Sequence, residues 1–303
     1  MGPAELASDA TDVSSRQPLA SPAVRRRARE KGIDLRIVPA TGRSGRITDA
    51  DIERFLETET AKRNGRRRRS KRTGTTEIPI SGLRRSIARK MAVSHTHIPH
   101  FSYIEQVDLT ELVQLRKHLN EGRSGDTPKL TYLPFIMLAL AKAFRQHPAA
   151  NAHYDDQREV VTRFEAAHLG IATQTEQGLY VPVVRHVEAM DLWEAARELR
   201  RVTQAVRQNT ITRDELIGST FTITSMGVLG GLAATPIINH PEVGILGIHQ
   251  AADRPVVISG QIAIRHMVNL SASFDHRIVD GAEGATLIQT LKGYLEHPAT
   301  IFL

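Results

Sequence analysis

The run Ser273-Phe274-Asp275-His276-Arg277-Ile278-Val279-Asp280-Gly281 decides how the chain is read, because it carries a strand into the last helix. Ile262 to Ser273 has the pattern of a strand, and Gly284 to Glu296 that of a helix halted by Pro298. Between them a histidine stands among acids on a turn made with small residues. Histidine changes charge near neutral pH, so the cluster suits acid–base chemistry. Structural ion networks use the same residue types, and a histidine beside acids is more often part of one. Upstream, Ser219-Thr220-Phe221-Thr222-Ile223-Thr224-Ser225-Met226-Gly227 reads as a hydroxyl-rich strand entering the loop Gly227-Val228-Leu229-Gly230-Gly231. Threonine's fit to a half-buried strand explains that stretch without any site.

Working outward, Glu77 to Leu303 alternates helix and strand signals. Phe101, Tyr103, Glu105 and Val107 alternate as in a strand, and Asp108-x-x-Glu111 resembles a capping box before Leu112, Leu115 and Leu119. Pro134 to Gln146 is apolar nearly all round, as a buried helix is, and Leu192 to Gln208 is amphipathic. Strands are expected at His168–Ala172, Leu179–Val184, Thr220–Thr224, Gly244–Ile248 and Val256–Ile258. This order, with hairpins, argues for an α/β or α+β domain. No GxGxxG or GxxxxGK[ST] motif supports a phosphate-cradling loop. Pro18 to about Leu56 forms a smaller unit of two helices. Ser21-Pro22 opens the first, Thr48 the second, and Thr41-Gly42-Arg43-Ser44-Gly45 lies between. A unit this small suits binding better than catalysis. Residues 1–17 are polar and small and are expected to be disordered.

Of 303 residues, 41% are apolar and 24% charged, which fits a soluble globular protein. With no cysteine, disulfides, thiolate metal sites, iron–sulfur clusters and a cysteine nucleophile are excluded. The net charge is +7, yet eight Lys and Arg between Ala61 and Arg72, with no acid among them, leave the remainder at −1. Such a run is ordinarily a solvated linker, the alternative being a docking tail for acidic protein or nucleic acid. No aromatic residues accompany it, so nucleic-acid binding is not expected. Leu130 to Phe144 is too short to span a bilayer and carries Lys142, so no membrane segment is expected. The N-terminus lacks a signal core, and a cytoplasmic location is expected. His95-x-His97-x-x-His100 lacks a completing carboxylate or cysteine, so no metal site is expected.

The DHRIVDG run at 275–281 resembles the signature of the dihydrolipoamide acyltransferases, core subunits of 2-oxo-acid dehydrogenase complexes. That signature is shared, more distantly, with chloramphenicol acetyltransferase. The resemblance extends over FTITSMGVLGG (221–231), TPIINHPEVGILGI (235–248), GIATQTEQGLYVPVV (170–184) and HIPHFSYIEQVDLTEL (97–112). The last of these is more like branched-chain than acetyl enzymes. ASPAVRRRAREKGIDL (20–35) and TGRSGRITDADI (41–52) are similar to the family's peripheral-subunit-binding domain, although Ala40 stands where a glycine is usual. The resemblance implies a disordered segment 1–17, a small all-α peripheral-subunit-binding domain 18–57, a basic linker 58–76 and a catalytic domain 77–303. The last would be α/β, a mixed sheet with flanking helices like that of chloramphenicol acetyltransferase.

Carried over residue by residue, the resemblance makes His276 the general base that takes the proton of a substrate thiol. Thr224 becomes the oxyanion donor in place of the family's serine or threonine, and Asp280 a loop-holding acid with Arg84 as candidate partner. Arg116, Thr131, Gln174, Ser225 and Gly247 fall at coenzyme A positions. Arg25, Arg29 and Arg46 match residues that clamp the decarboxylating dehydrogenase and dihydrolipoamide dehydrogenase. Homotrimers stacked into a cubic core are implied, with sites at subunit interfaces. The lipoyl group is expected in trans or from a missing N-terminal domain. Two alternatives stay open: a non-catalytic scaffold of such a complex, and an acetyltransferase acting on a small hydroxyl acceptor.

Overall fold

A computed structural model of the chain describes residues 18–63, 72–80, 82–125, 127–225, 227 and 230–303. The expected disordered segment 1–17 and most of the basic run lie outside the described residues. The chain divides into two compact units, Met1–Glu77 and Ile78–Leu303.

In the first unit, helix α1 (Pro22–Glu30) starts at the Ser21-Pro22 pair, and Ser21 Oγ accepts the Val24 N–H at 3.3 Å. Helix α2 (Asp49–Arg63) runs past the expected end at Leu56, since no glycine or proline interrupts the sequence there. Val24, Ala28, Val38, Ile47 and Ile52 form the core. The loop between the helices closes on Asp51, whose carboxylate is buried. It accepts from the N–H and the hydroxyl of both Thr41 and Thr48, at 2.6 to 3.1 Å. Gly42 is required, because a Cβ there would stand 2.4 Å from the Arg46 carbonyl oxygen. Ala40 is not among the residues with positive φ, so its side chain brings no backbone strain.

The second unit contains α3 (Gly82–His97), β1 (His100–Asp108), α4 (Thr110–Glu121), α5 (Tyr132–Phe144), β2 (Ala152–Asp155), β3 (Val160–Arg163) and β4 (Leu169–Gln174). Then come β5 (Leu179–Tyr180), β6 (Val183–Val184), α6 (Leu192–Arg207), β7 (Phe221–Ser225), β8 (Gly244–Ile248), β9 (Ala252–Ile258), β10 (Gln261–Asp275) and α7 (Gly281–Glu296). One sheet has the order β1-β10-β8-β7-β4-β5, with β6 also on β4 and β9 also on β10, while β2 and β3 form a separate hairpin. The pairs β4–β7 and β7–β8 are parallel and the others antiparallel, so this is a mixed α/β sheet. Side chains alternate along each strand. Phe221, Ile223, Leu246, Ala272 and Phe274 enter the core shared with α5, α6 and α7, whereas Thr222, Thr224, Gly247 and Ser271 occupy the other face.

The capping box expected at Asp108 does not form. Helix α4 begins at Thr110 with Leu109 at its cap, and Asp108 Oδ1 accepts instead from the Thr110 N–H and hydroxyl. Reciprocal boxes stand at Asp191–Glu194 and Asp280–Glu283. On the polar face, Glu242 is 1% exposed. Its carboxyl receives the Ser219 hydroxyl, the Thr222 hydroxyl at 2.6 Å and the Asn239 amide at 2.7 Å, and Lys90 donates to Asn239 in turn.

Two carboxyls give opposite pH signatures. The Thr41 hydroxyl, then the Thr48 and Thr41 N–H groups, hold Asp51 far below its ordinary 3.8. A folded pKa below the unfolded one gives stability that is present at neutral pH and lost as the pH falls through the acid range. Asp51→Ala is expected to expose the first unit to protease at pH 7 while the second resists; an unchanged cleavage pattern would refute this role. Burial pushes Glu242 up from 4.5 to about 7, against the pull of its hydroxyl donors. Between those values the folded chain keeps a proton that the unfolded chain has lost, so stability falls as the pH rises through that window. Urea midpoints from pH 4.5 to 8 should decline less in Glu242→Gln than in wild type.

Candidate active site

Strand β10 ends inside the protein at Asp275, which is 1% exposed. Asp275 accepts the Arg277 N–H at 3.0 Å and its guanidinium at 2.6 to 3.2 Å. Arg277 also bonds Asp156 and lies 4.7 Å over the Tyr154 ring, and its two carboxylate partners raise its pKa. Three residues on from Arg277, Asp280 caps α7 and accepts the Glu283 N–H at 2.8 Å. The turn is therefore fixed at both ends. His276 lies between these anchors. Its backbone N–H donates to the Pro99 carbonyl at 3.1 Å, and its exposed ring sits 4.8 Å from that of Phe101. The expected Asp280–Arg84 pair is not formed among the described residues: Asp280 is committed to the helix start, and Arg277 ties the turn down instead.

Thr224 is half-buried on β7, level with Ala172 of β4 and Gly247 of β8. It lines a largely apolar cavity of about 300 Å³ with Ala172, Val181, Ile237 and Gly247. Thr131 and Ser225 share a second cleft of about 480 Å³ with Tyr132, His249 and His266. Behind Tyr132, the Arg116 guanidinium stacks 4.4 Å over the ring, and its Nε is buried without a partner. Gln174 is exposed at the end of β4, where its amide donates to the Thr175 carbonyl at 2.9 Å, and it lines neither cavity. In the first unit, Arg25 donates to the Pro18 carbonyl at 2.6 Å and to the Ala20 carbonyl at 3.4 Å, while Arg29 and Arg46 are exposed. Both ring nitrogens of His100 are engaged, Nδ1 with the Ile98 carbonyl and Nε2 with the Ile238 N–H. Among the described residues no helix is long and apolar enough to cross a membrane.

The register keeps Thr224 and His276 of one chain apart. Thr224 pairs with Gly247, and Gly247 with Ser271 on β10, five residues before His276. At about 3.3 Å per residue and about 4.8 Å between strands, their backbones stand roughly 15–20 Å apart. The two groups can flank one carbon only if they come from different copies of the chain.

Glu242 and His249 escaped the sequence reading. The hydroxyls of Ser219 and Thr222 reach Glu242, and that of Ser271 reaches His249, from distant parts of the sequence. Asp156, on the turn after β2, gave no local sign that it would meet Arg277.

The model of the 2-oxoacid dehydrogenases acyltransferase (catalytic domain) matches residues 72–303, and that of the e3 binding domain matches residues 18–53. The lipoamide acyltransferase component of the branched-chain alpha-keto acid dehydrogenase complex of Pseudomonas aeruginosa is 50% identical over 290 residues, spanning 95% of this chain and 68% of that protein. Its counterpart in Pseudomonas putida is 48% identical over 288 residues, with the same shares covered. Among solved structures, a dihydrolipoamide acetyltransferase of Azotobacter vinelandii, investigated for the catalytic roles of a serine, a histidine and an asparagine, superposes with a TM-score of 0.73. It is 33% identical, covering 76% of this chain and 95% of that one. The cubic core of a pyruvate dehydrogenase multienzyme complex gives the same four values. With both domain models in place and a relative half identical over 95% of this chain, the chain belongs to the 2-oxoacid dehydrogenase acyltransferase family.

Proposed function

We propose that the chain moves a short branched acyl group between dihydrolipoamide and coenzyme A, as the core acyltransferase of a branched-chain 2-oxo-acid dehydrogenase complex. The observation that carries this reading is one of spacing. Thr224, His276 and Asp280 stand at the sequence intervals of the serine, histidine and asparagine studied in the Azotobacter enzyme. They also lie where the fold offers a hydroxyl in a cavity and an imidazole on a fixed turn.

A thiol with a pKa near about 8.5 is mostly protonated at neutral pH. The imidazole of His276 takes that proton as sulfur attacks the thioester carbonyl. The tetrahedral oxyanion receives a hydrogen bond from the Thr224 hydroxyl of a second protomer. Collapse then breaks the original carbon–sulfur bond, and the departing thiolate takes the proton back from His276. Both sulfurs belong to substrates, so a chain without cysteine can run the exchange. The apolar cavity beside Thr224 would hold the acyl chain, and Arg116, Thr131 and Ser225 would hold coenzyme A along the neighbouring cleft. Exposed Arg29 and Arg46, joined by Arg43, present a basic surface for the dehydrogenase partners, an attraction that weakens with salt.

His276→Ala should lower the transfer rate by several orders of magnitude, and Thr224→Ala by about 10²–10³. Co-expressed in equal amounts, these two inactive variants should regain activity, up to about a quarter of wild-type sites in a randomly mixed closed oligomer. No recovery would refute a site shared between copies. Ala172→Val, on the strand beside Thr224, should narrow the cavity. Isobutyryl transfer is then expected to fall relative to acetyl transfer by about tenfold or more, read from the ratio of kcat/KM for the two acyl-coenzyme A substrates.

A further inference from the structure

His249 is 5% exposed and follows Gly247 by two residues, on the sheet face that carries Thr224. Its ring folds back over that glycine. Nε2 lies 2.8 Å from Ser271 Oγ and 3.7 Å from where a Cβ on Gly247 would stand. With Ile248 it forms the wall common to the cavity at Thr224 and the cleft at Thr131 and Ser225. A chain threaded from the cleft towards Thr224 must pass this imidazole.

The hydrogen bond to Ser271 fixes the tautomer. Ser271 is fully buried, and among the described residues its hydroxyl is bonded to His249 Nε2. A buried hydroxyl proton needs an acceptor, so Ser271 donates to Nε2. Burial lowers the pKa of the imidazole and keeps it neutral, and its own proton then resides on Nδ1. That nitrogen is buried and has no hydrogen-bond partner. It is a donor waiting for an acceptor on the route to the reacting carbon.

We infer that His249 is a positioning residue that donates from Nδ1 to the first amide carbonyl of the pantetheine arm of coenzyme A. Two methylenes and a nitrogen separate that carbonyl from the sulfur. An arm whose sulfur reaches Thr224 therefore carries the carbonyl about one strand away, beside His249. The inference rests on the acyltransferase reading and adds to it the contact that holds the arm in register.

The test compares three isobutyryl donors with dihydrolipoamide as acceptor: the coenzyme A thioester, the N-acetylcysteamine thioester, which keeps the first amide, and the ethanethiol ester, which lacks it. His249→Leu is expected to raise KM about tenfold for the first two while kcat stays within about threefold. The same variant should leave kcat/KM for the ethanethiol ester and KM for dihydrolipoamide unchanged. His249→Asn, whose amide nitrogen falls near the position of Nδ1, should restore KM, and His249→Gln should not. If His249→Leu does not fold, the Asn and Gln variants carry the test by themselves. An unaltered KM in His249→Leu, equal KM in the Asn and Gln variants, or a loss extending to the ethanethiol ester would overturn the assignment. A wild-type protein inactive with all three donors would instead overturn the acyltransferase reading beneath it.

Discussion

The pairing of Thr224 with Gly247, and of Gly247 with Ser271, is the constraint from which the proposed chemistry follows. A β-strand has a nearly fixed rise per residue, and no rotamer of threonine or histidine closes a gap of roughly 15–20 Å. In the proposed mechanism the base and the oxyanion donor must therefore be contributed by different protomers. Assembly then acts as part of catalysis, because a folded but isolated chain holds two half-sites that cannot meet. His276 is exposed in the single chain. Its ring is backed by Phe101, and in the proposed mechanism the substrates and a second protomer meet it from the open side.

The acids around His276 divide the work. Asp275, buried and bonded to Arg277, anchors the end of β10, and Asp280 anchors the start of α7. Hydrogen bonds with both partners charged are among the stronger ones available, and an N-cap side chain contributes about 1 kcal/mol to a helix. Neither acid is hydrogen-bonded to the imidazole among the described residues. In the proposed mechanism they act by fixing the backbone that carries the imidazole, a contribution that comes from geometry more than from charge.

Local chemistry was legible in the sequence. Ser21-Pro22 opened a helix where expected, the apolar run in α5 was buried, and the strand–turn–helix around His276 stood where the polar cluster marked it. Misreadings arose where a local signal had two outcomes. Asp108-x-x-Glu111 and Asp280-x-x-Glu283 share one capping pattern, but only the second closes a box. Thr110 draws Asp108 into a tighter turn of its own. Pairing Asp280 with Arg84 overlooked the glutamate three residues along the same helix. Glu242, Asp156 and His249 were illegible for a different reason: Ser219 and Thr222, Arg277, and Ser271 come to them from distant parts of the chain, which no local pattern encodes.

The division of polar and apolar groups across the sheet fits thioester exchange better than a reaction needing charged substrates at its centre. Beside Thr224 the neighbouring strands carry Ala172 and Gly247, so the hydroxyl looks into space lined mainly by hydrocarbon. A thioester carbonyl has little charge to lose on entering such a space, while the oxyanion formed from it gains most from a donor already in place. Beneath that surface, Glu242 accepts from the hydroxyls of Ser219 and Thr222 and the amide of Asn239, so the donors of Thr222 and Asn239, which also line the cavity, are already engaged. With those donors turned to Glu242, Thr224 is the hydroxyl that the proposed mechanism can draw on for the charge that develops in the cavity.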